Sequence, residues 1–136
     1  MTQFVLDSYA LLEWLLGQPK ADMVRRYLED SAAGKSTIVM SWINIGEVSY
    51  MLARKRGAEK AAEFLERLPS LPIRLVLPDV PAILDAARIK AQARLSYADA
   101  FAVGLALSLN GSLVTGDPEI RDFRLVPVEW IGAGET

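Results

Sequence analysis

Four acidic residues of this sequence could form a metal centre, because each falls where a predicted strand ends or near the start of a predicted helix. They are Asp7, Glu47, Asp99 and Asp117. Carboxylates that lie close together raise one another's pKa unless a cation holds them. Oxygen ligands of this kind suit hard cations such as Mg²⁺ and Mn²⁺. These acids therefore predict a divalent metal site, provided that the fold brings them together.

The composition narrows the chemistry further. The 136 residues include no Cys and no His. This excludes disulfides, thiol nucleophiles, Ser-His-Asp triads and zinc sites built on Cys or His. An enzyme of this composition would have to work with carboxylates, Lys, Arg and Tyr. The formal net charge of −2 also argues against a chain that is basic overall, as many nucleic-acid-binding proteins are.

Short apolar runs alternate with helical patterns along the whole chain, which indicates an α/β protein with a mainly parallel sheet. The predicted strands are 4–6, 37–40, 73–77, 112–115 and 124–128. The predicted helices are 10–17, 20–32, 42–56, 58–68, 79–93 and 97–109. We expect residues 132–136, GAGET, to form a frayed tail.

This topology predicts that the four acids converge. Right-handed crossovers bring the carboxyl ends of parallel strands and the amino ends of the following helices to one edge, where ligands bind in open α/β sheets. Asp7 follows the first strand and Asp117 follows the fourth. Glu47 lies in the amino-terminal half of the helix after the second strand, and Asp99 in the first turn of the helix before the fourth. Asp79 reaches the same edge, but beside a strand that we expect to be peripheral.

Each of these acids also has a purely local interpretation. Asp7 and Asp117 could be helix N-caps, and Asp99 fits a variant of the capping box. Glu47 could be an exposed helix position. Asn44 lies three residues before Glu47 on the same helix face, where the two could form a surface amide–carboxylate pair.

Four stretches together resemble the motif regions of PIN-domain ribonucleases, and most closely those of the toxin component of VapBC toxin–antitoxin modules. They are FVLDSYALL, SWINIGEVSYML, LSYADAFAVGLAL and LVTGDPEI, in that order between residues 3 and 128. The resemblance implies a PIN-like three-layer sandwich with a mainly parallel sheet of four or five strands. The implied strand order is 3-2-1-4-5, flanked by helices, within a single domain over residues 1–136.

The resemblance also implies roles for particular residues. All four acids would be catalytic and would hold Mg²⁺ or Mn²⁺, chiefly through Asp7 and Asp99, with Glu47 and Asp117 completing the pocket. Three further residues match polar positions that support the family's acids: Ser8, Asn44 and Thr115.

The function implied by the resemblance is a metal-dependent endoribonuclease that leaves a 5′-phosphate and a 3′-hydroxyl. Such a toxin would be neutralised by a cognate antitoxin and would form a homodimer. One alternative is a catalytically silent PIN module that binds RNA or a protein. Another is a phosphatase of the dehalogenase type, which needs Asp-x-Asp after the first strand. Here that position reads Asp7-Ser8-Tyr9.

The apolar content of 51% exceeds what a small monomer needs, so part of the surface could face a partner. Residues that could contribute to such a surface, or alternatively to a two-sided core, are Trp14, Trp42, Ile43, Ile45 and Tyr50. No apolar run approaches the roughly 18 residues that span a bilayer. The start, MTQFVLD, has no signal-peptide pattern. We therefore expect a cytoplasmic protein without membrane contact.

Overall fold

The computed structural model of the protein describes residues 1–133. Five strands are present in this part of the chain: β1 Gln3–Leu6, β2 Thr37–Ser41, β3 Ile73–Val76, β4 Ser112–Thr115 and β5 Val128–Trp130. Its helices are α1 Ser8–Leu15, α2 Ala21–Ala32, α3 Trp42–Arg56, α4 Ala58–Arg67, α5 Val80–Gln92, α6 Tyr97–Leu109 and α7 Pro118–Phe123, with a short 3₁₀ turn at Leu68–Ser70.

The strands form one parallel sheet in the order β3-β2-β1-β4-β5, which confirms the predicted α/β architecture and strand order. Side chains alternate across the central strand β1: Leu6 packs into one apolar core, whereas Val5 packs into another. The first core is closed by α1 to α4. The second is closed mainly by α5 and α6. The sheet is therefore the middle of three layers, as predicted.

Helix α6 is apolar on nearly every side because it is covered on nearly every side. It contacts the sheet strands β1, β2 and β4 as well as helices α3 and α5. Its buried residues include Phe101 and Val103, and Ile89 on α5 packs beside Gly104. A helix without a polar face is typical of such a central position.

Side chains of the chain itself fix where the helices start at the carboxyl edge of the sheet. Ser41 Oγ accepts the backbone N–H of Ile43 at 3.1 Å, where β2 passes directly into α3. Ser96 Oγ accepts the N–H of Asp99 at 3.1 Å at the start of α6. Asp79 caps α5 in the same way. These caps satisfy N–H groups that lack a partner within the helix, so each helix begins at a defined residue.

The end of the chain differs from the prediction. The last strand was predicted too early in the chain, at 124–128. Residues 118–123 form α7, and β5 begins only at Val128. Arg124 ends α7 in the left-handed conformation, with φ of 59°. Pro127 has no N–H to donate, and its carbonyl accepts from Leu113 at 2.9 Å before the regular ladder begins. Of the predicted tail, residues 134–136 lie outside the described part of the chain.

No helix in residues 1–133 is both long enough and apolar enough to cross a membrane.

Substitution of two glycines by alanine should change the stability of the protein in opposite directions. A Cβ on Gly111 would lie 2.6 Å from the backbone oxygen of Gln3, which belongs to the central strand and cannot move easily. A Cβ on Gly46, inside α3, would meet nothing within 4 Å. In urea denaturation, we expect Gly111→Ala to lower the free energy of unfolding by about 1–3 kcal/mol. We expect Gly46→Ala to raise it by about 0.5–1 kcal/mol. Equal effects would contradict the close approach of β1 to the start of β4.

Candidate metal centre

The carboxylate of Asp7 is buried at the junction of β1 and α1, with 1% of the residue exposed. One oxygen, Oδ1, accepts the N–H of Ala10 at 2.8 Å and so caps α1. The other, Oδ2, accepts the hydroxyl of Thr115 at the end of β4. Because its two oxygens are fixed by neighbouring elements, the Asp7 carboxylate has one defined orientation. This cap also explains why α1 starts at Ser8, two residues before its predicted start.

Thr115 links Asp7 to the fourth acid. Its fully buried hydroxyl donates to Asp7 and accepts the backbone N–H of Asp117 at 3.0 Å. Asp117 in turn caps α7, with Oδ1 accepting the N–H of Glu119 at 2.9 Å. The supporting position predicted for Thr115 is therefore a direct hydrogen-bond bridge between two of the acids.

Asn44 on α3 connects this helix to α1, which follows Asp7, and to α6, which carries Asp99. Its Nδ2 donates to Ser8 Oγ at 3.2 Å and to the carbonyl of Ala98, next to Asp99, at 3.1 Å. The Ser8 hydroxyl donates back to the carbonyl of Asn44 at 3.3 Å. Asn44 is fully buried, which excludes the alternative of a surface pair with Glu47. The amide instead ties α3 to the starts of α1 and α6.

The structure brings the four predicted acids together, and we call Asp7, Glu47, Asp99 and Asp117 the acidic cluster. The carboxyl group of Asp117 is close enough to Asp99 to raise its pKa. Glu47 is close enough to Asp99 to raise its pKa. Asp99 and Asp117 are both close enough to Asp7 to raise its pKa. The local cap interpretations of Asp7 and Asp117 are correct as well, and the caps place these carboxylates within the cluster.

The electrostatics of the acidic cluster are unfavourable when it is empty of cations. Burial raises the pKa of Asp7 to about 7, although the hydrogen bonds from Thr115 and Ala10 oppose this shift. The pKa of Asp99 is also raised to about 7, mainly by burial and in addition by the nearby Asp117 and Glu47 carboxyl groups. Two carboxyl groups that resist ionisation at neutral pH, beside two more acids, form a site that favours a bound cation.

The donor chemistry of this cluster fits a hard divalent cation, but the side chains do not form a complete cage. No group of three or more acidic side chains in residues 1–133 is arranged to hold a metal ion as it stands. Mg²⁺ needs only one or two direct carboxylate ligands, because it keeps several of its waters. Asp7 and Asp99 could hold the ion directly, with Glu47 and Asp117 bonded to its waters. The buried Oδ1 of Asn44, which has no hydrogen-bond partner within residues 1–133, could accept from such a water.

A cavity of about 430 Å³ opens beside the acidic cluster. Glu47, Asp99 and Ser8 line it together with Tyr9 and Lys55. Neither Tyr9 nor Lys55 belongs to the residues predicted for the site. Their only sequence signals are that Tyr9 follows Asp7-Ser8, and that Lys55 lies two helical turns after Glu47 on the same face of α3.

The fold and this site define a candidate metal centre at the edge of a parallel α/β sheet. Comparison with protein families then identifies the class of protein. Residues 4–125 match the family model of the PIN domain. The chain therefore belongs to the PIN-domain family, as its four motifs predicted. No curated protein is significantly similar to the chain in sequence.

Several solved structures share the fold. A chain of the VapBC2 complex of Rickettsia felis, bound to a DNA fragment from their promoter, is 16% identical, with a TM-score of 0.75 over 94% of this chain and 98% of that one. The toxin VapC20 of Mycobacterium tuberculosis, which cleaves the sarcin–ricin loop, is 15% identical, with a TM-score of 0.75 over 93% and 98%. A chain of the FitAcB structure of Neisseria gonorrhoeae is 21% identical, with a TM-score of 0.68 over 92% and 95%.

The raised pKa of Asp7 predicts how stability changes with pH in the absence of metal. A carboxyl group with a pKa of about 7 in the folded chain, against its ordinary 3.8, binds its proton more tightly when folded. This contribution therefore favours the folded state at low pH and is lost as the pH rises from about 4 to about 7. Between pH 4 and 8, we expect the free energy of unfolding of the wild type to fall relative to Asp7→Asn. The expected change is on the order of a few kcal/mol.

The measurement is urea denaturation in EDTA at a series of pH values. Asn at position 7 keeps an oxygen for the N–H of Ala10, so the cap of α1 is retained. Asp79→Asn removes a carboxylate from the exposed cap of α5 and is the matched control. A difference between wild type and Asp7→Asn that stays constant with pH would contradict the buried ionisation of Asp7.

Proposed function

We propose that this protein is a metal-dependent endoribonuclease and the toxin component of a type II toxin–antitoxin system. The observation that carries the proposal is the acidic cluster itself. Four carboxylates from four separate parts of the chain meet at one edge of the sheet, and two of them have a pKa near 7. Membership of the PIN-domain family and the fold shared with VapBC structures support the same assignment.

In the proposed reaction, the residues of this chain hold the reacting groups in place. Asp7, fixed by Ala10 and Thr115, and Asp99, fixed at the start of α6, would bind Mg²⁺ or Mn²⁺. A metal ion held there would polarise a water and the phosphodiester oxygens for in-line attack on phosphorus. Glu47 and Asp117, both half-buried, would orient waters at the rim by accepting hydrogen bonds. The expected products carry a 5′-phosphate and a 3′-hydroxyl.

The proposal includes a cognate antitoxin as partner. Two of the structures that share the fold are VapBC complexes, from Rickettsia felis and Salmonella typhimurium. The cavity beside the acidic cluster would accept a segment of such a partner and so block the site. A cytoplasmic location, where an RNA substrate would be present, is also part of the proposal.

A homodimer is also part of the proposal, and helix α5 offers a surface for it. Val80, Ile83 and Leu84 are exposed to 67%, 39% and 52%, and Ala87 is exposed as well. These four positions follow the i, i+3, i+4, i+7 spacing, so they form one apolar stripe on the outer face of the helix. A stripe on one helix can pair with the same stripe of a second copy about a two-fold axis.

The first test is cleavage of structured RNA by the purified protein. We expect cleavage with Mg²⁺ or Mn²⁺, and none after EDTA. Asp7→Asn and Asp99→Asn should each lower the rate by at least about a hundredfold, because each removes a charge that would hold the ion. Asp79→Asn, an acid at the same edge with the same capping role, should cleave like the wild type.

Undiminished cleavage by both site variants would overturn the assignment of the acidic cluster. Calorimetry separates the remaining outcomes. Divalent binding without cleavage would leave a metal site with another activity. Neither binding nor cleavage would favour a silent PIN module that binds RNA or protein.

The dimer is tested by light scattering at micromolar concentration. We expect the mass of a dimer for the wild type and of a monomer for Leu84→Glu, which would bury a charge in the apolar contact. Leu65→Glu, at a similarly exposed leucine on α4, should leave the mass unchanged. A monomeric wild type would count against the dimer.

A further inference from the structure

Each of the three helices next to Asp7, Glu47 and Asp99 also carries an exposed tyrosine. Tyr9 lies two residues after Asp7 on α1, Tyr50 three residues after Glu47 on α3, and Tyr97 two residues before Asp99 on α6. Their exposed fractions are 39%, 49% and 46%. The fourth tyrosine of the chain, Tyr27, packs edge-on against Phe4 instead. Each exposed tyrosine therefore lies within three residues of an acid of the cluster.

Each of these three rings is held by a contact within the protein. The ring of Tyr9 lies directly on Gly116, where a Cβ would overlap the ring carbons. The hydroxyl of Tyr50 donates to Glu47 Oε2 at 3.3 Å. Tyr97 packs against Phe101 with ring centroids 4.9 Å apart. Rings that are already fixed lose little conformational freedom when they bind a planar ligand.

Helix α3 also carries two cationic side chains, Arg54 and Lys55, close to its tyrosine. The guanidinium of Arg54 lies 5.1 Å from the centroid of the Tyr50 ring. Lys55 lines the cavity that also contains Tyr9, Glu47 and Asp99. Neither cation forms a salt bridge within residues 1–133. Their charges are thus available to the phosphates of a chain that enters the cavity.

From this arrangement we propose that Tyr9, Tyr50 and Tyr97 form a stacking surface for unpaired RNA bases around the acidic cluster. The proposal rests on the nuclease function proposed above and names the part of the substrate that is recognised. Bases offer their faces to aromatic rings only when they are unstacked, in single strands, loops or bulges, and not within a duplex. The tyrosines therefore select unpaired nucleotides, while Arg54 and Lys55 bind their phosphates.

Exposed tyrosines also occur in protein interfaces, so a protein segment is the competing occupant. The charges favour RNA. Tyr9 shares the cavity with Glu47, Asp99 and Lys55. Tyr50 contacts both Glu47 and Arg54, and neither Arg54 nor Lys55 has an acidic partner in the described chain. A phosphodiester backbone uses both the divalent cation and the side-chain cations, whereas an apolar peptide segment uses neither.

The test is fluorescence anisotropy with the full chain and Ca²⁺ in place of Mg²⁺, so that binding is measured without cleavage. The probes are a short labelled single-stranded RNA without internal pairing and the duplex that it forms with its complement. We expect the wild type to prefer the single strand. Tyr9→Leu, Tyr50→Leu and Tyr97→Leu should each weaken its binding by about 5- to 100-fold, the range for loss of one stacked base. The matching Tyr→Phe variants keep the ring and should stay within about twofold.

The control is Leu65→Ala, which removes an exposed apolar side chain from α4, away from the site. The stacking surface is wrong if the Leu variants bind like the wild type, or if the duplex binds as tightly as the single strand. It is also wrong if these variants keep RNA affinity but lose self-association, which would identify a protein interface. Cleavage with Mn²⁺ is scored separately. If the wild type binds RNA through its tyrosines but does not cleave it, the proposed nuclease activity is wrong, whereas the proposed stacking surface is supported.

Discussion

The burial of one carboxylate, that of Asp7, is the constraint on which the rest of the site depends. With 1% of the residue exposed, it loses the water that would stabilise its charge, and two hydrogen bonds from Ala10 and Thr115 only partly replace that water. Three more acids lie close enough to interact with one another or with it, so the charged state is costly at neutral pH. A divalent cation would reverse the sign of this interaction, because it turns mutual repulsion into shared attraction.

The apolar layers allow the protein to maintain this unfavourable cluster. The inner strands are buried on both faces beyond their first one or two residues, and α6 packs between the sheet and two other helices. Burial of this extent supplies most of the free energy of folding, independently of the polar edge. The carboxyl edge can therefore hold groups that reduce stability without losing its geometry. This separation follows from the parallel sheet, in which the core lies along the strands and the site lies beyond their ends.

The sequence predicted the strand order through the resemblance, and the meeting of the acids through topology alone. Asp7 and Asp99 were accessible to such reasoning because each adjoins an element with a strong apolar pattern. The end of the chain was not: α7 has six residues, too few for a periodic signal, and its presence moves β5 beyond the predicted range. The packing of the Tyr9 ring on Gly116 could not be predicted, because these two residues are far apart in the chain. The sequence left open whether Asn44 is at the surface, because the i, i+3 pattern cannot show which helices pack over that face.

Helix capping and metal binding are compatible uses of the same carboxylates, and the structure shows why. A capping side chain must sit at the first turn in a fixed rotamer with one oxygen directed at a backbone N–H. Asp7 and Asp117 both meet this requirement, and each leaves its second oxygen free of the cap. In a parallel sheet, the first turns of successive helices face one another across the carboxyl edge. Caps therefore orient the carboxylates toward a common point, and the local interpretation of each acid explains how the cluster is positioned.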